Sequence, residues 1–439
     1  MKIKIENIGK VKYADIEING ITVIAGENNS GKSTVGKALY SVFNGLCNVD
    51  KRIKNERTDI IRSYLARFFD DLEIPNRKNN NRFIKHTYPE IYMIANRLSE
   101  IDYIDNVDNR AIVGGILDVL SLSNDSSLSD IRTYISSNLE KVSQLKVIDI
   151  ILEIINLTDD DILRRIFLKY LRAEFNEQIN NIFEKTTGII ELSIKTSKVS
   201  IRIKDNHIIK INEKKHLNTD AIYIDDPFVL DEIDNFIFNK IPHRHLLIDK
   251  LSFDNENNKV IGEIITERRI DAILSRINYV CDGELERNSS INVGYKVKNS
   301  NKILDIKNVS LGLKTFIIIK TLLLRGIIKE NGIIILDEPE IHLHPEWQII
   351  FAELIVMIQK EFNMHVLINT HSPYFLNAIE IYSLEHNIED KCKYYLAENI
   401  DSYSEIIDVS EDVEKIYTKL ARPFQELENR HYGKNDKKR

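Results

Sequence analysis

The sequence predicts an α/β fold, a mixed β-sheet with flanking helices that is interrupted by an α-helical insertion. Three observations predict it. A strand, a glycine-bearing loop and a helix follow one another near the start. Strands and helices alternate again from Asn308 onward. Between about Cys47 and Lys185 the chain is polar, helical in period and poor in strand signals. A length of 439 residues exceeds one compact core and fits a large domain carrying an insertion, or two to three domains. The resulting division is 1–48, the insertion 49–185, and 186–439.

The first segment reads as three strands, Lys2–Ile5, Tyr13–Ile18 and the apolar run Ile21–Ala25, with a helix beginning at Lys32. Inside the insertion, Asn76–Asn81 reads as a loop. Two sets, Ile131, Ile135, Leu139, Val142 and Leu163, Ile166, Phe167, Tyr170, Leu171, each form an apolar stripe at helical spacing. The heptads are not sustained, so a compact bundle or short hairpin is expected rather than a long coiled-coil arm. From Gly188 the period becomes two. Leu192 and Ile194, then Val199, Ile201 and Ile203, predict a hairpin turning at Thr196-Ser197-Lys198. A strand at Ala221–Ile224 ends at Asp225-Asp226-Pro227, and the stretch to about Arg276 is less readable. Then come a helix over Thr315–Leu324, a strand over Ile333–Leu336, a helix over Glu346–Gln359, a strand over His365–Asn369 and a helix over Tyr374–Ile379. The charged residues Lys434–Arg439 read as a loose tail.

Composition narrows the function classes. Hydrophobic residues at 43% and charged residues at 29% are ordinary for a soluble globular chain. No apolar run reaches the roughly 18 residues needed to cross a bilayer, and the start has no apolar signal core, so a cytoplasmic protein without a membrane partner is expected. Cys47, Cys281 and Cys392 lie far apart without metal or disulfide spacing and read as buried thiols. A net charge of −7 argues against coating nucleic acid over the whole surface but leaves a local basic groove, and nucleic-acid contact, open.

The sharpest motif, Gly26-Glu27-Asn28-Asn29-Ser30-Gly31-Lys32-Ser33, matches GxxxxGK[ST] and lies between a predicted strand and helix. Such a loop curls around phosphates, its amides and the helix N-terminus facing the anion. Gly26, Asn28, Asn29, Ser30, Gly31, Lys32, Ser33 and Thr34 are therefore the candidate ATP-binding set. Lys32 is expected to reach the β- and γ-phosphates, and Ser33 to place its hydroxyl on Mg²⁺. Gly332-Ile333-Ile334-Ile335-Leu336-Asp337-Glu338-Pro339 delivers two carboxylates at the end of an apolar strand, where α/β sheets bind ligands. Asp337 is the expected second metal residue, and Glu338 the group that orients the attacking water.

These residues, with Asn308–Phe316, Leu336–Pro345 and Asn369–Pro373, occur in one order and spacing. The set resembles the P-loop ABC-type ATPase heads of the RecF, SMC-like and OLD (overcoming lysogenisation defect) group. Within that group it is most similar to the ATPase subunits of anti-phage systems of Septu and retron type. The resemblance covers the first ~45 residues and the C-terminal third, while 49–300 match only in general layout, with Tyr223–Pro227 a weak echo. It implies that Ser310 and Gly312 correspond to the ABC signature, which reaches ATP held by an opposite subunit. Two heads, as a homodimer or higher even oligomer, would then sandwich two nucleotides. It likewise implies that His371 is the switch histidine at the γ-phosphate, and that Glu340–His344 communicate between sites. A metal site at His342 and His344 is disfavoured for want of further ligands at zinc spacing.

The departures matter too. No Gln occurs between Gln178 and Gln348, so the family's glutamine loop has no evident counterpart, with Asp225 or Asp226 as candidate stand-ins. The transporter signature's double glycine and glutamine are missing. Only 68 residues follow His371, too few for the nuclease domain of OLD proteins, so nuclease activity is expected in a separate effector subunit. A RecF-like DNA-repair ATPase and a non-hydrolysing nucleotide-sensing scaffold remain as other readings.

Overall fold

The computed structural model describes residues 1–72, 88–100, 108–122, 126–183, 186–212, 217–238, 241–252, 260–287, 293–298 and 302–435. Packing divides the chain into two compact units, Met1–Cys47 with Phe167–Arg439, and Asn48–Ile166.

The first unit opens with the antiparallel strands β1 (Lys2–Ile8) and β2 (Val11–Glu17), which largely alternate buried and more exposed residues. β3 (Ile21–Gly26) is buried at every position, as expected of a strand covered on both faces. It leads through the glycine loop into α1 (Lys32–Leu46).

In the second unit, α2 (Val49–Asp71), α3 (Tyr88–Ser99), α4 (Asn109–Leu122), α5 (Ser126–Ser137), α6 (Leu139–Ser143) and α7 (Lys146–Asn156) surround their own apolar core. Leu65, Phe68, Ile94, Ile116, Ile135 and Ile151 are among its buried members. The stripe from Ile131 to Val142 is real as burial but is divided between α5 and α6. Asn76–Asn81 lie outside the described residues. α8 (Asp159–Glu174) crosses the boundary of the units, so the second unit ends at Ile166 and not at residue 185. Leu163, Ile166, Phe167 and Leu171 are all buried along this helix, so its periodicity carries no mark of the change.

Back in the first unit, β4 (Gly188–Ile194), β5 (Ser197–Lys204) and β6 (His207–Asn212) extend the antiparallel side. The turn falls at Lys195-Thr196, with Ser197 and Lys198 already in β5, because Lys195 adopts φ 54° and closes a two-residue connection. β7 (Ala221–Ile224) is followed by a 3₁₀ stretch (Pro227–Phe238), α9 (Pro242–Leu251) and α10 (Val260–Asn278). β8 (Glu284–Arg287), β9 (Val293–Lys296) and β10 (Ile303–Asp305) make a small sheet of their own. The alternation then runs α11 (Leu311–Leu324), β11 (Ile333–Asp337), α12 (Pro345–Phe362), β12 (His365–Thr370) and α13 (Pro373–Glu385). β13 (Cys392–Ile400), β14 (Tyr403–Asp408) and α14 (Glu414–Asn435) complete it. Lys434 and Asn435, expected in a loose tail, thus belong to a helix.

Among the described residues the main sheet has the order β6-β5-β4-β1-β2-β14-β13-β3-β12-β11-β7. The segment β13-β3-β12-β11-β7 is parallel throughout, and its largest apolar core lies under α11, α12 and α13. The sheet is thus mixed, antiparallel toward β6 and parallel toward β7, with flanking helices as expected. Cys281 and Cys392 are buried, but Cys47 is half-buried. No described helix is long and apolar enough to cross a membrane.

Candidate functional site

The parallel strands bring distant segments to one edge. Ala25 of β3 is level with Thr370 of β12, and Asn369 of β12 with Asp337 of β11. The three C-terminal strand ends therefore span about 10 Å, two inter-strand spacings.

At the first end the glycine loop folds onto its own lysine. Lys32, 4% exposed, donates from Nζ to Gly26 O at 3.0 Å and Glu27 O at 2.8 Å. Ser30 Oγ donates to Glu27 O at 2.7 Å, and Lys10 Nζ to Asn29 O at 2.7 Å. Asn28 and Asn29 are exposed, while Ser33 and Thr34 are half-buried at the start of α1. Gly31 has φ 83°, where a Cβ would lie 2.7 Å from both Ser404 Oγ and Val11 Cγ2. Only glycine fits this conformation and this space. α1 has no side-chain N-cap, so its first amides face the loop without a side-chain partner and suit an anion.

At the second end Asp337 closes β11. Its Oδ1 accepts from Asn369 Nδ2 at 2.9 Å and its Oδ2 from Tyr223 OH at 2.8 Å. Both donors are neutral, so the carboxylate's charge is hydrogen-bonded without being offset by them. The Asp337 carboxylate offers oxygen donors of the kind a hard cation such as Mg²⁺ takes. Glu338 follows at φ 50°, an uncommon conformation for a residue with a side chain and one that clusters at functional sites. Its amide is anchored on Asn369 O at 2.9 Å. Its Oε1 lies 3.6 Å from Lys32 Nζ and 3.5 Å from His371 Nδ1. The pairing with His371, then the charge of Lys32, holds the Glu338 carboxyl below its ordinary pKa against the effect of burial. The same pairing raises His371. Glu338 is thus an anion at neutral pH, with the Lys32 ammonium on one side and the His371 imidazole on the other.

Glu340 is nearly inaccessible, and burial pushes its pKa up. Its Oε1 accepts from Thr370 Oγ1 at 2.5 Å and from the His371 amide at 3.1 Å, tying the carboxylate loop to the histidine. Gln348 adds a second tie. Its Nε2 donates to Leu343 O at 3.1 Å and its Oε1 accepts from Ser372 Oγ at 2.8 Å. Neither role was marked by spacing or composition.

Lys32, Glu338 and His371 therefore meet, with Asp337 the residue before Glu338 at the end of β11, whereas Ser310 and Gly312 do not join them among the described contacts. Ser310 is exposed and caps α11, accepting from Leu313 N at 3.4 Å. Gly312 lies where a Cβ would be 2.9 Å from His342 O and 3.3 Å from the Trp347 ring, so this turn seats on the loop after the carboxylates. His344 caps α12, and the His342 ring stands edge-on to Phe228 at 6.4 Å. Asp225 faces Arg244 at 2.9 Å and His243 Nε2 at 3.2 Å. Burial raises its pKa, but these two partners outweigh it and hold the carboxyl low. It is therefore committed to a half-buried ion cluster. Asp226 Oδ1 accepts from Phe228 N at 2.9 Å.

A family model described as the AAA ATPase domain matches residues 1–376, a span that includes both ends of this site. The chain belongs to the AAA ATPase domain family. This AAA ATPase domain chain is similar to the retron Vc95 probable ATPase of Vibrio cholerae serotype O1 biovar El Tor. The two are 23% identical over 420 residues, which cover 86% of this chain and 72% of that protein. It is also similar to the solved SMC head bound to the C-winged helix domain of ScpA, at 13% identity, with 94% of this chain and 98% of that chain covered and a TM-score of 0.42. The SMC head domain from Thermotoga maritima is 10% identical, with coverages of 93% and 98% and a TM-score of 0.37.

Proposed function

We propose that the chain binds and hydrolyses ATP as an ABC-type head, dimerises head to head around two nucleotides, and controls a partner nuclease or effector in anti-phage defence. The observation that carries the ATPase reading is the 3.6 Å approach of Lys32 Nζ to Glu338 Oε1, between residues 306 positions apart. The loop amides and Lys32 hold the β- and γ-phosphates. Ser33 and Asp337 would hold Mg²⁺, which would supply positive charge against the phosphate oxygens. Glu338, kept ionised by His371 and Lys32, accepts a hydrogen bond from water and directs it in line at the γ-phosphorus. The 3.5 Å approach of His371 Nδ1 to Glu338 Oε1 supports a role for His371 in sensing that phosphate.

Ser310, exposed at the tip of α11 and apart from Lys32, supports delivery of the signature to the nucleotide of a second head. The similarity to a retron ATPase supports the defence role. The test is Glu338→Gln, which keeps the side chain's shape and removes its charge. Nucleotide binding should persist while turnover falls by roughly 10²- to 10⁴-fold, the usual contribution of a positioned base. Turnover at the parent rate would remove Glu338 from the mechanism.

A further inference from the structure

The geometry points to Tyr223 as a positioning residue that fixes the Asp337 carboxylate from the side opposite Asn369. This rests on the reading of Asp337 as a magnesium residue and adds to it a residue that orients its carboxylate. β7 pairs parallel with β11, and Tyr223 is level with Ile335, one strand over from the metal carboxylate. Its hydroxyl reaches diagonally to Asp337 Oδ2 at 2.8 Å while Asn369 Nδ2 holds Oδ1 at 2.9 Å. Two donors on opposite oxygens define the plane of the carboxylate, so its remaining lone pairs have fixed directions.

The phenol itself is hardly free to move. Tyr223 is 1% exposed and stacks on the His243 ring at 4.5 Å and 27°. Tyr40 of α1 stands tilted against it at 6.1 Å. Above it α1 presents Gly36, where a Cβ would come within 3.4 Å of the Tyr223 hydroxyl and 3.1 Å of Ile335. The stacking partner is clamped as well. His243 Nδ1 lies 2.6 Å from Glu174 Oε2, and its amide donates to Glu174 Oε1 at 3.1 Å. An ordinary core tyrosine satisfies its hydroxyl on a backbone carbonyl or water. This one spends its proton on the carboxylate the site depends on.

Asp225 and Asp226, the residues that sequence position suggested for the glutamine's place, are held by Arg244 and Phe228 N respectively. The segment that begins with Tyr223 nevertheless continues to Asp231, whose carboxylate receives Lys314 Nζ of α11 at 2.7 Å. One stretch of chain thus contacts both the metal carboxylate and the signature helix.

Tyr223→Phe removes only the hydroxyl and keeps the ring stack. ATP affinity is measured by calorimetry on parent and variant, in excess Mg²⁺ and in EDTA, with Mg²⁺-dependence of turnover alongside. The expected result is a loss of about tenfold in the Mg²⁺-dependent part of ATP binding, with affinity in EDTA and the melting temperature near the parent's. Turnover should need correspondingly more Mg²⁺, and saturating Mg²⁺ should restore most of it. A folded variant with the parent's Mg²⁺ dependence overturns the positioning role alone. A parent protein whose ATP binding ignores Mg²⁺ overturns the reading of Asp337, and this inference with it.

Discussion

The buried imidazole of His243 makes stability depend on pH in a direction that can be worked out beforehand. His243 is 2% exposed and lies between Glu174 and Asp225. Burial by itself disfavours its charged form, but the hydrogen bonds to Asp225 and Glu174 and their charges outweigh it, and its pKa is pushed up to about 9. An unfolded chain has a histidine pKa of about 6.5. The folded value is therefore the higher one, and the folded state binds the extra proton between the two. Its stabilising contribution is fully present below about pH 6.5 and is lost as pH rises through about 9. At about 1.4 kcal/mol per unit, the whole effect is on the order of 3 kcal/mol. Asp225 is held below its ordinary value and Arg244 above its own, so both keep their charge across this window. His371 is also raised and adds in the same direction. The assay is urea unfolding of the nucleotide-free protein at about pH 6, 7.5 and 9 at fixed ionic strength, for the parent and for His243→Gln. The parent should lose stability toward pH 9. The variant should be less stable at pH 6, because Glu174 loses its buried cation, and its pH dependence should be much flatter. Equal parent stability at pH 6 and 9, or the same slope in both proteins, would refute the argument.

Other outcomes follow from the same geometry. Gly31→Ala meets both a left-handed backbone and two atoms at 2.7 Å, and should cost about 2–4 kcal/mol in a denaturant titration and weaken ATP binding, with an unchanged midpoint counting against it. Ser310→Arg and Lys32→Ala should each be inactive alone, yet their mixture should recover a fraction of parent turnover, because one heterodimer in such a mixture keeps one intact composite site. Absence of any recovery would argue against sharing across two heads.

The parts of the site that sequence made legible are those where chemistry demands particular residue types in a row. The glycine loop is one, since Gly31 alone tolerates its φ, and the carboxylate strand is another, since Ile333–Leu336 must be apolar to lie inside a parallel sheet. The convergence of Lys32 and Glu338 follows from strand order, which periodicity does not encode; it needed the motifs to suggest it. Tyr223 reads as one more apolar strand residue, because its ring behaves as core and only its hydroxyl reaches the site. Gln348 and Glu340 act through backbone and hydroxyl partners that no spacing marks. β6 alternates weakly, with Ile209 facing solvent, and β8–β10 are only three or four residues long, too short for a period to emerge. The end of the helical unit was hidden because α8 continues through it as one amphipathic helix.

Titrating ATP into the parent and into Asp337→Asn, each with and without Mg²⁺, asks most directly whether the two ends of the chain serve a single metal-bound nucleotide. If they do, Mg²⁺ strengthens binding to the parent and loses most of that effect in the variant, while Lys32→Ala weakens binding under both conditions. An Asp337→Asn protein that keeps the full Mg²⁺ gain, or a Lys32→Ala protein that binds as the parent does, would contradict it.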